Sequence, residues 1–557
     1  MRISLPESIR SLRGYSARTF FADLIAGLTV GLVALPLAMA FGISSGVTPQ
    51  AGLYTAVVAG FLISALGGSK TQIGGPTGAF VVVVYGIVAR YGLDGLFLCT
   101  LMAGIILLVM GLAGLGSVVK FIPRPVVIGF TNGIAILIAS TQIKDFFGLQ
   151  IEKVPGDFAG RLEALLQHAR TISAGSTLLA ASALFVIVLS RRMIKRVPGS
   201  IIALVLCTVV VVVLRLPVES IGTRFGGIPS GLPTFAMPHF QPEMIVPLLM
   251  PALTVAMLGA IESLLSAVVA DRMSGTQHNP NVELTAQGLA NIVSPLFGGL
   301  PATGAIARTA TNIRSGAKTP VSGIIHALTL LAVLLFAAPL ARYIPLAVLA
   351  AILMVVSYDM GEWREIPKLL KMTWADISVW ITTFLLTVFA DLTIAVEVGM
   401  ALAALLYIRK VTNTTTVSKV TQEYLEDGRL HVLHDKHIPD YVTLLRIHGP
   451  FLFGSSEKLQ EAIGPIEDLT PIVILRLRNM TAIDATGVLS LEEFAHRLQA
   501  TCRTLIVCGA RAQPAALLGQ CQFERHIGRE NVCPNITAAL ERAKVLFANH
   551  PPIRRSA

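Results

Sequence analysis

A helix that breaks deep inside an apolar run exposes backbone polar groups that lipid cannot hydrogen-bond. The stretch Gly298-Gly299-Leu300-Pro301-Ala302-Thr303-Gly304-Ala305-Ile306-Ala307-Arg308 is such a break, and it constrains this chain more than any other feature. Interrupted segments at membrane depth persist only where they are buried in protein or line a cavity. A half-helix starting there aims unpaired N–H groups and the positive end of its dipole at whatever fills that cavity. The natural occupant is an anion.

The break has a twin. Gly74-Gly75-Pro76-Thr77-Gly78-Ala79-Phe80 repeats the Thr-Gly-Ala of residues 303–305 at an offset of 226, and Leu28-Thr29-Val30 recurs as Leu253-Thr254-Val255 at an offset of 225. Each short identity arises readily by chance, and the weight rests on their nearly common offset. Paired, interrupted segments in corresponding halves point to the central site of a secondary transporter.

Of the 557 residues, 54% are hydrophobic and 14% charged, and the mean hydropathy is +0.71, which excludes an ordinary soluble globular protein. The chain reads as a polytopic α-helical membrane protein. The net charge of +11 is assigned to basic loops that orient spans rather than to nucleic-acid binding. The polar, Arg-bearing segment 1–19 precedes an apolar run without a small-residue cleavage signature, so the first span is expected to stay in place. Cys99, Cys207, Cys502, Cys508, Cys521 and Cys533 form no Cys-x-x-Cys and no zinc-like spacing with histidine. They are expected as free thiols in a reducing compartment, with no metal and no cofactor.

Residues 20–412 alternate apolar runs with short polar breaks, giving about 14 spans, seven on each side of residue 230, with the two interrupted segments counted as half-helices. With the N-terminus inside, the inner loops carry Lys70; Lys120 and Arg124; Arg191, Arg192, Lys195 and Arg196; Arg272; Arg314 and Lys318; Arg364, Lys368 and Lys371; and Arg409 and Lys410. That is the positive-inside pattern, and the longer segments 150–171 and 216–243 fall outside. An odd number of spans per half inverts the second repeat (about 245–410) relative to the first (about 20–216), so the half-helix N-termini converge from opposite faces. A linker is expected at 413–430. Beyond it, residues 431–550 alternate strand and helix patterns, as in a small α/β domain. There Ile483-Asp484-Ala485-Thr486-Gly487 opens a helix, by capping or by recognising a ligand or phosphate.

Several motifs in order resemble the sulfate permease family of anion transporters. They are Asp23-Leu24-Ile25-Ala26-Gly27, Leu35-Pro36-Leu37-Ala38-Met39-Ala40-Phe41, Gly52-Leu53-Tyr54 and Gly259-Ala260-Ile261-Glu262-Ser263. The Asp-Ala-Thr-Gly at 484–487 looks like the signature of that family's cytoplasmic STAS domain. The resemblance is nearest to the bacterial branch that includes bicarbonate and C4-dicarboxylate carriers. It implies a 7+7 inverted repeat with two half-helices, a small cytoplasmic STAS domain, a homodimer, and an inner-membrane location with both termini in the cytoplasm. Carried over by motif, the anion site takes Phe41, Thr77, Gly78, Ala79, Phe80, Gly304, Ala305, Ile306 and Arg308, with Glu262 and Ser266 beside it. In sodium-coupled bicarbonate members Asp stands at Glu262, Thr at Ser266, and Thr near Ile306; the apolar Ile306 removes an oxygen ligand for sodium. The STAS phosphoacceptor position falls on Thr486, next to Asp484.

Glu262 is the only acid between Ile245 and Ala270. An ionisable group in mid-span is a functional hypothesis by default, here a proton carrier, against a structural Glu bound by N–H groups or Ser263. Arg308, an obligate cation, is available to an anion, to Glu262, or to a loop. Asp391 and Glu397 read as capping or packing residues, and Thr131, Asn132 and Gln142 as helix–helix hydrogen-bonding residues. The favoured function is proton-coupled symport of a small anion (sulfate, bicarbonate or a C4-dicarboxylate) by alternating access. The alternatives are sodium-coupled bicarbonate symport, a membrane-anchored regulatory scaffold whose STAS domain binds a protein or nucleotide, and a purine or uracil carrier. The last is disfavoured because no acid lies between Gly298 and Gly323. No nucleophile–base pair or phosphate loop suggests an enzyme.

Overall fold

The computed structural model describes residues 5–549 except 13, 118–122, 152–153, 194–197, 229–230, 236, 238–241, 391 and 421–437, and of 392–393 only the backbone. Lys120, Lys195, Arg196, Asp391 and the second half of the expected linker lie outside the described residues. The chain forms two compact units, Met1–Ala403 and Ala404–Ala557.

The first unit is helical: α1 Ala17–Ser44, α2 Pro49–Leu66, α3 Gly78–Leu112, α4 Arg124–Phe147, α5 Ala174–Met193, α6 Gly199–Leu214, α7 Ile245–Ser274, α8 Pro280–Val293, α9 Ile306–Arg314, α10 Val321–Phe336, α11 Leu346–Met360 and α12 Trp374–Phe389; α13, Leu392–Thr414, continues into the second unit. Helix α3 is broken at Gly92, whose φ of 71° leaves the helical region, so it counts as two segments. The total is then fourteen, seven before residue 230 and seven after. Among the described residues, seven stretches are long and apolar enough to cross a bilayer by length and composition, and α6, α10 and α12 are shorter apolar helices.

Two bundles emerge from the packing. Helices α1, α2, α3, α7, α8, α9 and α10 pack on one another, as do α4, α5, α6, α11 and α12. Without a hydrophobic drive between helices in lipid, small residues set how closely they approach. A Cβ at Gly52 would lie 1.9 Å from the Ala38 carbonyl oxygen, and one at Gly27 would lie 2.5 Å from the Ser322 carbonyl oxygen. The motif residue Asp23, fully buried, accepts from the backbone N–H groups of Lys318 and Thr319 at 2.7 and 3.1 Å and from Thr319 Oγ1 at 2.6 Å. It thereby holds the turn before α10 against α1. Tyr15 donates to the same carboxylate at 3.1 Å, and burial together with Asp23 pushes its phenol up to about 12. Helix–helix bonds also use Asn132, which accepts from Trp380 Nε1 at 2.9 Å, and Gln142, which donates to Ser44 Oγ at 3.0 Å. Thr131 instead bonds back to Ile128 of its own helix.

The second unit carries a five-stranded sheet in the order β3 Thr416–Lys419, β4 Val442–Phe451, β5 Ile472–Ile483, β6 Thr504–Cys508 and β7 Val532–Cys533. β3 is antiparallel to β4 and the remaining pairs are parallel. Helices α14 Ser456–Ile463, α15 Ala485–Ala500 and α16 Ala512–Gln520 cover one face, and α17 Ile536–Ala548 covers the other. Both faces being covered explains the near-continuous apolar run Ile472–Leu475. All six cysteines are free, with Cys502 and Cys521 exposed.

Candidate functional site

The two interrupted segments pair directly. Gly74 of β1 (Gly74–Gly75) stands opposite Gly304 of β2 (Thr303–Gly304), and Gly75 opposite Thr303. The antiparallel pairing satisfies backbone that cannot be helical, and Ala305 extends it by donating its N–H to Ile73 at 2.8 Å. Two residues, Pro76 and Thr77, separate this ladder from α3, and one, Ala305, separates it from α9. Their N-caps, Thr77 and Ala305, make no side-chain capping bond, so no cap takes the N–H groups that open either half-helix, of which the Phe80 N–H turns back to the Thr77 carbonyl at 3.3 Å.

Equivalent elements give the offset of the repeat: the half-helix N-caps Thr77 and Ala305 are 228 residues apart and the ends of α1 and α7, Ser44 and Ser274, are 230 apart. The offsets of 225 and 226 read from short identities fall two to five residues short of these. Thr77 caps a helix whereas Thr303 lies in a strand, so the break itself recurs in register and the tripeptide does not.

Hydroxyls of α7 and α9 fasten the ladder. Ser263 Oγ lies 2.6 Å from Thr303 Oγ1 and accepts the Gly304 N–H at 3.1 Å, while Thr303 donates to the Gly259 carbonyl at 3.1 Å. Ser266 Oγ lies 3.1 Å from Thr309 Oγ1, which accepts the Ile73 N–H at 3.0 Å. Gln72 donates to the Ser263 carbonyl at 3.1 Å. Gln72, Thr303 and Thr309 were not singled out as site residues from sequence. Their signal was polarity on both flanks of the breaks, which also fits simple loop residues.

Glu262 is partly buried on α7 and accepts a 2.9 Å hydrogen bond from Thr77 Oγ1. It is thereby held at the start of the opposite repeat's half-helix. Arg308 is only 2% exposed. Its Nη2 donates to the Pro76 carbonyl while Nη1 has no partner, and it forms no ion pair with Glu262 among the described residues. The guanidinium reaches Pro76 past Gly75, where φ is +146° and a Cβ would stand 2.7 Å from Nη1. His326 on α10 is fully buried, and among the described residues neither ring nitrogen has a partner.

The other expected residues fall around this hub. Gly78 meets the second bundle: a Cβ there would lie 2.8 Å from Ile138 Cδ1 of α4, 3.1 Å from Met360 Sδ of α11, and 3.4 Å from the Phe41 ring of α1. Ala79 and Phe80 are buried in the first turn of α3, and the Phe80 ring lies 3.7 Å from where a Gly259 Cβ would be. Ala305 is buried, whereas Ile306 is 39% exposed, so the start of α9 is the open one. In the second unit Asp484 caps α15. It accepts the Gly487 N–H at 2.8 Å and the Phe453 N–H at 2.9 Å. Thr486 is exposed in the first turn.

Comparison with known proteins follows these divisions. The sulfate permease family matches residues 20–383 and the STAS domain residues 434–539. The chain is 41% identical over 521 residues to the putative sulfate transporter YvdB of Bacillus subtilis, covering 93% of this chain and 97% of that one. It is 32% identical over 558 residues to the bicarbonate transporter BicA of Picosynechococcus, covering 98% and 96%. Among solved structures, the transmembrane domain of a cyanobacterium bicarbonate transporter BicA is 36% identical with a TM-score of 0.62, over 70% of this chain and 98% of that one. SLC26A9, at 18% identity, shares the fold across 98% of this chain and 93% of its own with a TM-score of 0.87.

Proposed function

The chain belongs to the sulfate permease family, a family of anion transporters, and on that premise we propose that it is a proton-coupled symporter of a small oxyanion or carboxylate. The observation that carries the reading is the pair of uncapped half-helix starts joined across the β1–β2 ladder, with the unpartnered Nη1 of Arg308 beside them. Backbone N–H groups and one guanidinium suit sulfate, bicarbonate and C4-dicarboxylates alike, and the curated names of the relatives cover the first two.

Cotransport requires a group that is protonated while the anion is bound and gives up the proton after it leaves. Glu262 is the carboxyl placed for this: its bond to Thr77 ties its charge state to the start of α3. A bound anion offsets the Arg308 charge and so favours the protonated acid. The two ligands then stabilise each other, with a coupling of about 1–3 kcal/mol. Ser266 is engaged with Thr309, and Ile306 offers no oxygen, which argues for protons rather than sodium. Movement of the ladder-bearing bundle against the other would alternate access. The basic loops are consistent with both termini in the cytoplasm and, for a bacterial chain, the inner membrane.

An anchored scaffold has no use for a paired ladder, a buried arginine and a mid-span acid together. The decisive experiment is uptake by proteoliposomes of a panel of labelled anions under imposed gradients. Glu262→Gln, a mimic of the protonated state, is expected to keep anion exchange and lose uptake driven by a pH gradient. Uptake in that variant that still follows the proton gradient, or wild-type uptake that requires sodium, overturns the mechanism.

A further inference from the structure

A second cluster of cations lies away from the ladder. A cavity of about 230 Å³ is lined by Lys144, Asp145 and Thr141 of α4, Tyr85 of α3, Arg161 of the short helix Phe158–Gln167, and Arg224 of the helix Ile221–Phe225, together with the end of α1. Arg224 is neutralised, with Asp145 at 2.8 Å and Glu219 at 2.5 Å. Lys144 and Arg161 are not: among the described residues neither has a carboxylate partner. Lys144 donates to the Ile151 carbonyl. Arg161, only 1% exposed, donates to Ser140 Oγ at 2.9 Å and to the Gly156 carbonyl at 2.7 Å, and its Nε has no partner. The neighbouring Asp157 accepts the Gly160 N–H at 2.6 Å as the cap of its own helix. The cavity lining thus holds three cations, of which Arg161 is buried and Lys144 half-buried, against the one carboxylate of Asp145, and a buried cation with too little counter-charge is costly.

The cavity also sits at a telling place. Its walls come from both bundles, α1 and α3 on one side and α4 on the other, and two bonds cross near it: Gln142 to Ser44 at 3.0 Å and Tyr85 to the Val154 carbonyl at 2.5 Å. Ser44 ends α1, so this is the end of the unit opposite the N-terminal segment, the outer end in the orientation proposed above. Tyr85 lies eight residues along α3 from Thr77, about 12 Å at 1.5 Å per residue. The cavity is therefore on the approach to the half-helix starts.

We propose that this cavity is a second, outer anion subsite, in which Lys144 and Arg161 hold the same class of small oxyanion before it reaches the ladder. Its role as a way-station rests on the transport reading; its occupancy by an anion does not. An excess of cations over carboxylates in this lining raises the local anion concentration and the encounter rate, an effect that salt weakens.

Two measurements test it. Crystals of the full chain grown without sulfate or phosphate and soaked in selenate should show an anomalous peak between Lys144 and Arg161, lost in Lys144→Gln. No peak in the wild type, or an undiminished peak in Lys144→Gln, overturns the subsite whatever the uptake assay gives. In proteoliposomes at low ionic strength, Lys144→Gln should raise the apparent KM for the transported anion roughly three- to tenfold, with kcat within twofold and with recovery in Lys144→Arg. An unchanged KM, or a loss confined to kcat, overturns the way-station. A selenate peak in a protein that transports no anion would overturn the transport reading and leave the subsite standing.

Discussion

Arg308 shows how a side chain's role depends on where its neighbours let it go. Its charge and its place in the first turn of a half-helix are legible in the sequence, but its partner is not. It reaches the Pro76 carbonyl of the other repeat because Gly75 leaves room and holds φ at +146°. In Gly75→Ala the new Cβ would meet only the far end of a flexible side chain, so the guanidinium should swing away rather than the fold collapse. The backbone strain costs about 1–3 kcal/mol, and anion uptake is expected to fall more than tenfold while the inserted, folded fraction stays near wild type. Uptake within twofold of wild type would show that the Arg308 position is not needed. Ala305→Asp separates charge from folding more sharply. Asp is a favoured N-cap and suits the positive end of α9, which offsets the cost of a carboxylate at this buried position, so the variant should still insert and fold, yet its carboxylate opposes a bound anion directly. Normal uptake in well-expressed Ala305→Asp removes Ala305 from the site. Glu262 was legible because an acid in mid-span is so costly. Its bond to Thr77 was not, since 185 residues separate them and only the repeat packing brings them together.

Among the elements, the number of helical segments follows from apolar runs and their breaks, whereas the glycine at which α3 divides, Gly92, shows itself in the backbone. The repeat was also legible, though not its exact offset: short identities in apolar sequence recur by chance, and equivalent helix ends lie 228 to 230 residues apart. What the apolar pattern hides is which helices touch, because lipid-facing and buried positions are both apolar, and the glycines decide. A Cβ at Gly52 meets the backbone oxygen of Ala38, which cannot rotate away as a side chain can. Gly52→Ala should therefore force α1 and α2 apart and cost about 2–4 kcal/mol, in the range of severe overpacking, read as a clear fall in Tm in detergent. Gly86 on α3, where nothing lies within 4 Å, is the control. Gly86→Ala should be neutral or stabilising by up to about 1 kcal/mol. Equal behaviour of the two variants would refute the account of α1–α2 packing.

For the molecule as a whole, the change from continuous apolar runs to strand and helix alternation already separates the two units in the sequence, and the loop at 484–487 bears on why a transporter carries the second one. Asp484 gives a partial answer. Both its carboxylate oxygens are spent on backbone N–H groups, those of Gly487 and Phe453, so its place in the loop is explained by capping, and Asp484→Ala should cost the unit about 1–2 kcal/mol. Thr486 is different, because it is exposed in the first turn of α15. A phosphate or a glutamate there adds negative charge at the positive end of a helix, which stabilises rather than disrupts. Thr486→Glu is therefore expected to leave the unit folded, with an unchanged or slightly higher Tm, while shifting the uptake rate at least twofold or altering the binding of a cytoplasmic partner. Such a change without loss of stability separates regulation from damage, which Asp484→Ala cannot do. If Thr486→Glu and a chain lacking residues 420–557 both transport at the wild-type rate and bind the same partners, the second unit does not regulate transport through this loop.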